Sequence, residues 1–185
     1  ESHGLWENTE YRALDNRVFA IEKWGNLTVL GHALGDPALE FGSERLSREL
    51  PQDELGYAIC AANFDDDAED ELAVGAPGSG RVYILNLGNT LSEATILDLG
   101  EGRFGHALAC SDHFLVVGAP TFGDQLKGAA WCFRGNTEDW NVEHATYQGQ
   151  PWEQLGSAVA LGPRTLVIGA PGNASTRGSI QKISW

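Results

Sequence analysis

Six acidic residues fall within seven positions, directly before an apolar run that ends in Gly-Ala-Pro. They are Asp65, Asp66, Asp67, Glu69, Asp70 and Glu71. Placing so much unpaired negative charge beside a buried strand is costly. A calcium ion would offset the repulsion, since it prefers carboxylate oxygens; the alternative is a solvated acidic turn that aids solubility. The spacing is shorter than an EF-hand loop, which excludes that class of site.

No motif in the chain predicts catalysis. The sequence contains no G-x-S-x-G nucleophile elbow, no H-E-x-x-H and no phosphate-binding G-x-x-x-x-G-K. A composite site from His106, Cys110 or Asp112 is conceivable, but a histidine one residue after a strand-opening glycine favours a structural role. We therefore predict no catalytic residue and no organic cofactor site.

The acidic run belongs to a repeat. Three segments each open with Leu or Phe followed by glycine, pass through two apolar strands that close on Gly-Ala-Pro, and end in a third strand. The opening glycines recur at intervals of 49 and 51 residues, and those of Gly-Ala-Pro at 43 and 51. These glycines are Gly56, Gly105 and Gly156, and Gly75, Gly118 and Gly169. A degenerate first copy of the repeat, which lacks the proline, lies at Leu27 to Gly35.

Short strands rich in Val, Ile and Leu, separated by glycine and proline, predict an all-β fold. Four units of 40 to 50 residues predict a β-propeller of four-stranded blades, because small twisted sheets bury both faces only against neighbours. Glycines let the backbones approach closely near the axis. The predicted units are 1–54, 55–103, 104–154 and 155–185. The sequence does not choose among three arrangements: a small closed ring, association with a second chain, or a fragment of a larger ring.

The Phe-Gly to Gly-Ala-Pro pattern resembles the FG-GAP repeat. This repeat builds the propellers of integrin α chains and the C-terminal part of glycosylphosphatidylinositol-specific phospholipase D. The resemblance covers Leu55 to Trp185 well and residues 1–54 poorly. In the phospholipase family hydrolysis belongs to a separate zinc domain rich in His and Asp, which has no counterpart in this chain.

The resemblance also implies a role for the acidic run. FG-GAP repeats often hold calcium in the hairpin between their first two strands. Carried onto this chain, the predicted calcium ligands are Asn63, Asp65, Asp67 and Glu71, together with the backbone carbonyl of Glu69. Two residues depart from the family pattern: Ala68 replaces a glycine, and Glu71 replaces the closing aspartate. Corresponding turns at residues 111–113 and 162–164 carry no such ligand set.

The formal net charge is −14. An acidic protein is repelled by nucleic acid and by anionic membranes, so we predict neither as a partner. The sequence has no run of 18 apolar residues, and we expect no membrane span.

Several features indicate a secreted or extracellular chain. The sequence starts at Glu1 and contains no methionine, so we expect a processed segment. Asn26 and Asn173 each begin an N-glycosylation sequon. Cys60 and Cys110 lie in apolar runs, where cysteine is usually a small buried side chain. One disulfide plus one free thiol is the alternative for the three cysteines, of which Cys132 is the third.

Large aromatic residues are the candidates for ligand recognition, although packing between blades would also explain them. They are Trp6, Trp24, Trp131, Trp140, Trp152 and Tyr147. We predict a non-catalytic extracellular module, of a kind used in cell adhesion, that is stabilised by calcium and recognises a protein or glycan. The alternative is an accessory segment of a phospholipase D-like hydrolase whose zinc domain lies outside this chain.

Overall fold

The computed structural model describes residues 18–24, 26–32, 38–41, 44–47, 51–65, 67–86, 94–135, 140–172 and 177–184. These residues form fifteen strands in four antiparallel sheets and two short 3-10 turns, so the predicted all-β fold is confirmed. Within each sheet every strand pairs with the next one along the chain. No helix in the described part of the chain is long and apolar enough to cross a membrane.

The first sheet comprises β1 (Ala20–Trp24), β2 (Leu27–His32), β3 (Ala38–Phe41) and β4 (Glu44–Ser47). The second comprises β5 (Ile59–Ala62), β6 (Glu71–Ala76), β7 (Arg81–Leu85) and β8 (Thr95–Asp98). The third comprises β9 (Ala107–Ser111), β10 (Phe114–Ala119), β11 (Ala129–Arg134) and β12 (Asn141–Gln148). The fourth comprises β13 (Ala158–Gly162), β14 (Thr165–Ala170) and β15 (Ser179–Ser184), one strand fewer than predicted among the residues described. The 3-10 turns span Pro51–Asp53 and Asp124–Leu126.

The sheets stack side by side in chain order. Their first strands contact one another in the sequence β1, β5, β9, β13. A separate apolar core fills each of the three spaces between successive sheets. Strand β6 is buried along its whole length, because it is covered on both faces. The arrangement is that of propeller blades in an open arc.

The repeated glycines occupy the same place in each sheet. Gly31, Gly118 and Gly169 pair with Ala20, Ala107 and Ala158, and the amide of Gly75 donates to the carbonyl of Ala58. A Cβ atom at Gly75 would overlap the carbonyl oxygen of Gly105, which opens the next sheet. These glycines therefore serve the close approach of one sheet to the next.

Two of the three cysteines form a disulfide, which is the alternative that the sequence left open. Cys60 on β5 and Cys110 on β9 form a disulfide with a Cα–Cα distance of 6.1 Å. The bond joins the second and third sheets. Cys60 is buried, as expected, and Cys110 is half-buried, but they are bonded to each other; Cys132 on β11 is buried and lies outside this disulfide.

Candidate metal centre

The acidic loop connects β5 to β6 and lies at one end of the second sheet. Its side chains grade from exposed to buried: Asp67 is exposed, Asp65 is half-buried, and Glu71, the first residue of β6, is only 3% exposed. Asp66 lies outside the described residues. The loop therefore presents carboxylates both to solvent and to the interior.

Three of the predicted ligands converge. Asp65, Asp67 and Glu71 each offer a carboxylate oxygen, and these oxygens all lie within 4.8 Å of one another. Two oxygens on opposite sides of one calcium ion are about 4.6–5.2 Å apart, because each Ca–O distance is about 2.3–2.6 Å. The spacing therefore fits a single calcium ion. Within the described part of the chain, this is the one group of three or more His, Cys, Asp or Glu side chains with such convergence.

Hydrogen bonds within the loop set these positions. The amide of Asp67 donates to Asp65 Oδ1 at 3.2 Å, and the amide of Glu69 donates to Asp67 Oδ1 at 2.7 Å. Asn63 donates its side-chain amide to the carbonyl of Asp67 at 2.7 Å, which keeps it beside the carboxylates. The carboxylate of Glu69 is not in the converging group. The ligand roles of Asn63 and of the Glu69 carbonyl stay predictions.

Glu71 is the most buried member of the group. Burial raises the pKa of its carboxyl group above the usual value, and the negative charges of Asp65 and Asp67 raise it further. A hydrogen bond of 2.7 Å from the amide of Phe64 opposes this shift. The charged form of Glu71 is thus less favourable than it would be in water, and a nearby positive charge would offset this cost.

Neighbouring sheets hold the loop on both sides. Trp24 of the first sheet donates its indole N–H to the carbonyl of Asp70 at 2.5 Å. The amide of His113, in the third sheet, donates to the carbonyl of Asn63 at 3.0 Å. Phe64 is buried and packs edge-on against Trp140, with ring centroids 4.9 Å apart. The acidic loop is therefore a junction of three sheets.

The two departures from the family pattern have different consequences. Ala68 is not among the residues with a positive φ, so the loop turns here without the left-handed conformation that would require glycine. Glu71 reaches the converging group from inside the sheet. The corresponding turn of the third sheet is a tight one, with His113 at a φ of 66°.

The aromatic residues divide between packing and exposure. Trp24 and Trp131 are buried in the cores between sheets, and Tyr147 packs beside the core of the third and fourth sheets. Trp152 is 46% exposed, whereas Trp6 lies outside the described residues. Packing therefore accounts for the buried tryptophans and leaves Trp152 available for recognition.

One polar cluster was not predicted from the sequence. Tyr57 and His106 occupy equivalent places, each one residue after an opening glycine, and their side chains hydrogen-bond at 3.2 Å. Arg103 lies over the ring of Tyr57 and pairs with Glu54 at 2.6 Å. The recurring position after the glycine is the signal that would have placed these residues together. Cys110, suggested as a partner of His106, is held in the disulfide instead.

The structure describes the asparagine of one of the two N-glycosylation sequons. Asn26 is exposed in the turn between β1 and β2. Asn173 lies outside the described residues. Glycosylation of either residue stays a prediction.

The chain is similar to several known proteins. The family model of the FG-GAP repeat matches residues 55–85. Phosphatidylinositol-glycan-specific phospholipase D from Mus musculus is 33% identical over 92% of this chain, and the human protein is 30% identical over 69%. Integrin alpha-5 from Xenopus laevis is 27% identical over 60% of the chain.

The chain spans only part of these relatives. It covers 24% of the mouse protein, 18% of the human protein and 12% of the integrin. Among solved structures, the computationally designed Ika4 protein aligns with a TM-score of 0.52 and 19% identity, over 95% of this chain and 96% of the other. That likeness concerns the fold alone.

Proposed function

From the premise that the chain is an FG-GAP repeat protein with propeller-like sheets, we propose that it is a non-catalytic extracellular recognition module stabilised by calcium. The observation that carries the calcium part is the convergence of Asp65, Asp67 and Glu71 within 4.8 Å. Asn63 and the carbonyl of Glu69 would add two further oxygen donors. A calcium ion at this place supplies charge neutralisation and no chemistry on a substrate.

The physical effect of the ion would be to make the charged loop compatible with its buried neighbour. Ionised Glu71 lies inside the sheet and close to two further carboxylates, so its charge is costly without a counter-ion. Because Trp24 and His113 hold the loop from the adjacent sheets, ordering the loop also strengthens the contact of three sheets. Calcium would thus stabilise the arc of blades as well as the loop.

Recognition of a protein or glycan is supported by the loop that carries Trp152. This side chain is exposed, yet its backbone amide donates to the carbonyl of Gln125 at 2.7 Å. The amide of Gln154 similarly donates to the carbonyl of Leu126 at 3.0 Å. A large aromatic ring on a loop pinned in this way loses little conformational freedom on binding, and its face suits a sugar ring or an apolar side chain.

An extracellular location is supported by the disulfide between Cys60 and Cys110, because such bonds persist in oxidising compartments. The exposed sequon residue Asn26 is accessible to the glycosylation machinery of the same compartment.

A second candidate function is favoured by the four phospholipase D relatives. In this proposal the chain is an accessory propeller segment that positions a zinc-dependent hydrolytic domain located outside residues 1–185. Sequencing the flanking parts of the gene tests it: a His- and Asp-rich zinc region upstream supports this role, and its absence removes it.

Calorimetric titration with calcium tests the first proposal. The wild-type chain should bind one equivalent and melt at a higher temperature with calcium than with a chelator, since a ligand that binds only the folded state stabilises it. Asp65→Asn and Asp67→Asn should abolish both effects. Asp112→Asn, in the corresponding turn of the third sheet, is the matched control and should preserve them. A chelator-insensitive wild-type melt would remove calcium from the proposal.

The recognition part has its own test. Trp152→Ala should leave the melting temperature unchanged and abolish binding on a glycan array or to an extracellular protein panel. Trp140→Ala is the control, because this ring packs against Phe64 and its loss should lower stability instead. Equal ligand binding by wild type and Trp152→Ala would rule out this loop as the recognition surface.

A further inference from the structure

The loop between β10 and β11 is longer than its counterpart in the second sheet. It spans residues 120–128, whereas residues 77–80 are enough to join β6 to β7. The longer loop contains the 3-10 turn Asp124–Leu126 and closes on itself, because the amide of Gly128 donates to the carbonyl of Phe122 at 3.0 Å. In repeat proteins an insertion within one repeat often lies on the binding face. The additional residues therefore indicate a use beyond the connection of two strands.

A second loop pairs with the first through the backbone. It spans residues 149–157 and leads from β12 in the third sheet to β13 in the fourth. Three of its amides donate to carbonyls of the first loop, and the three bonds are Trp152 to Gln125 at 2.7 Å, Gln154 to Leu126 at 3.0 Å and Leu155 to Lys127 at 3.0 Å. We call residues 123–128 and 149–155 the paired loops. Their mutual hydrogen bonds hold them in one arrangement, which lowers the entropy cost of binding a ligand there.

The backbone of the paired loops is strained at three side-chain-bearing residues. Gln125, Leu126 and Trp152 have φ values of 57°, 49° and 69°. The residues that correspond to Trp152, four positions before the other opening glycines, are Gln52 and Glu101, and neither has a positive φ. Residues in this region of backbone conformation persist only where surrounding contacts fix them, and they cluster at ligand sites. The conformation of Trp152 is thus particular to this loop and is not a feature of the repeat.

The exposed side chains of the paired loops suit a sugar better than a protein. Trp152 is 46% exposed, and it is the one exposed large apolar side chain of these loops. A protein interface buries several apolar residues around each aromatic anchor. Here the exposed neighbours in the paired loops are a proline, a glycine and three polar residues, namely Pro151, Gly123, Asp124, Gln125 and Gln150. A single indole face among amide and carboxylate groups matches a pyranose ring, which has an apolar C–H face and a rim of hydroxyl groups.

The charges of the paired loops favour a neutral sugar. Asp124 is exposed, whereas Lys127, the one basic residue of these loops, is half-buried. The carboxylate of Glu153 is used within the fold, since it accepts from the amide of Gln150 at 2.7 Å and from the hydroxyl of Ser179 at 3.5 Å. The formal net charge of the chain is −14. Sulfated and sialylated glycans are therefore repelled, whereas uncharged hydroxyl groups are not.

We propose that the paired loops bind a neutral pyranose unit of a glycan. The indole of Trp152 stacks on the C–H face of the sugar. The side-chain amides of Gln125 and Gln150 exchange hydrogen bonds with its hydroxyl groups, and the carboxylate of Asp124 accepts from them. This inference rests on the proposed recognition function and narrows its ligand from a protein or glycan to a neutral glycan.

The test screens the 185-residue chain against an array of neutral glycans that end in mannose, galactose or glucose, with sulfated and sialylated glycans on the same array. Binding should be confined to the neutral set. In titration with the best neutral oligosaccharide, Trp152→Ala should bind about tenfold more weakly, and Trp152→Phe should stay within about threefold of wild type, because a phenyl ring still stacks. Ile180→Ala removes an exposed apolar side chain outside the paired loops, so it is the matched control and should bind as wild type.

Two further variants test the paired loops themselves. Replacing residues 120–128 by the sequence of residues 77–80 should abolish glycan binding and keep a cooperative melt, since the shorter loop joins the equivalent strands of the second sheet. The double variant Gln125→Ala with Gln150→Ala keeps the backbone pairing and should weaken binding by about tenfold. This second variant keeps the proposal testable if the exchanged loop does not fold.

The outcomes separate this inference from the recognition function. A protein panel is screened in parallel with the array. Binding that depends on Trp152 but is found only with a protein, or only with sulfated or sialylated glycans, would overturn the inference and leave the recognition function standing. Neutral glycan binding that the double variant retains in full would also overturn it. Absence of binding on both the array and the protein panel would overturn the inference and the recognition function together.

Discussion

Trp24 and Asp70 are 46 residues apart in sequence, and the indole N–H of the first donates to the backbone carbonyl of the second at 2.5 Å. The bond runs from the core between the first and second sheets to the end of the acidic loop. Through it, the least regular repeat of the chain contributes directly to the candidate metal centre. We therefore predict that the stability of the first sheet and the proposed binding of calcium are linked.

Trp24→Phe should weaken calcium binding by roughly three- to tenfold, because the loop loses the donor that fixes Asp70. Stability should fall by about 2 kcal/mol, from lost packing and a carbonyl deprived of its partner. Titration calorimetry and urea unfolding measure the two effects. Trp131→Phe, also buried but in the next core, should lose similar stability with unchanged calcium affinity. Equal calcium affinity in the two variants would contradict the link.

Glu71 should make the calcium-free protein less stable as pH rises. Its folded pKa is raised, so the folded state holds the proton more tightly than the unfolded state. The resulting stabilisation is present below the ordinary value of 4.5 and is lost as pH rises through the higher folded value. In chelator, Glu71→Gln should therefore melt at or above the wild-type temperature at pH 7, and calcium should no longer raise its melting point. A large loss for Glu71→Gln in chelator would disprove this explanation.

The disulfide between Cys60 and Cys110 should contribute about 2–4 kcal/mol, because it closes a loop of 50 residues in the unfolded chain. Reduction, or the double variant Cys60→Ala with Cys110→Ala, should lower the free energy of unfolding by that amount. Mass spectrometry after alkylation of the unfolded, unreduced chain should show one reactive thiol. Cys132→Ala is the control and should keep the sensitivity to reductant. Three reactive thiols would refute the pairing.

His106 should make the protein more sensitive to mild acid. Burial lowers the pKa of its imidazole below 6.5, and the charge of Arg103 lowers it further. The unfolded state then takes up the proton first, so stability is full above pH 6.5 and declines as pH falls through the lower folded value. His106→Gln should flatten the melting profile between pH 7 and 5, with His113→Gln as the control. A profile unchanged by His106→Gln would show that other groups set the acid response.

The repeat itself could be predicted from sequence. Glycine, proline and short apolar runs act locally, because they determine where a strand begins, turns and ends. For that reason Gly75, Gly118 and Gly169 could be assigned to equivalent places. Asp65, Asp67 and Glu71 could be assigned to one cluster, because they are close in sequence. Among the residues described, the fourth sheet comprises three strands and the other three sheets comprise four each.

The amino-acid sequence by itself determined the antiparallel sheets, the recurring glycines and the crowding of acids before β6, because all of these depend on neighbours in the chain. The tertiary structure alone decided which cysteines pair, that Trp24 reaches Asp70 and that Tyr57 meets His106. These contacts join residues about 50 positions apart. Their distances follow from how one sheet is rotated and stacked on the next, which no local pattern specifies.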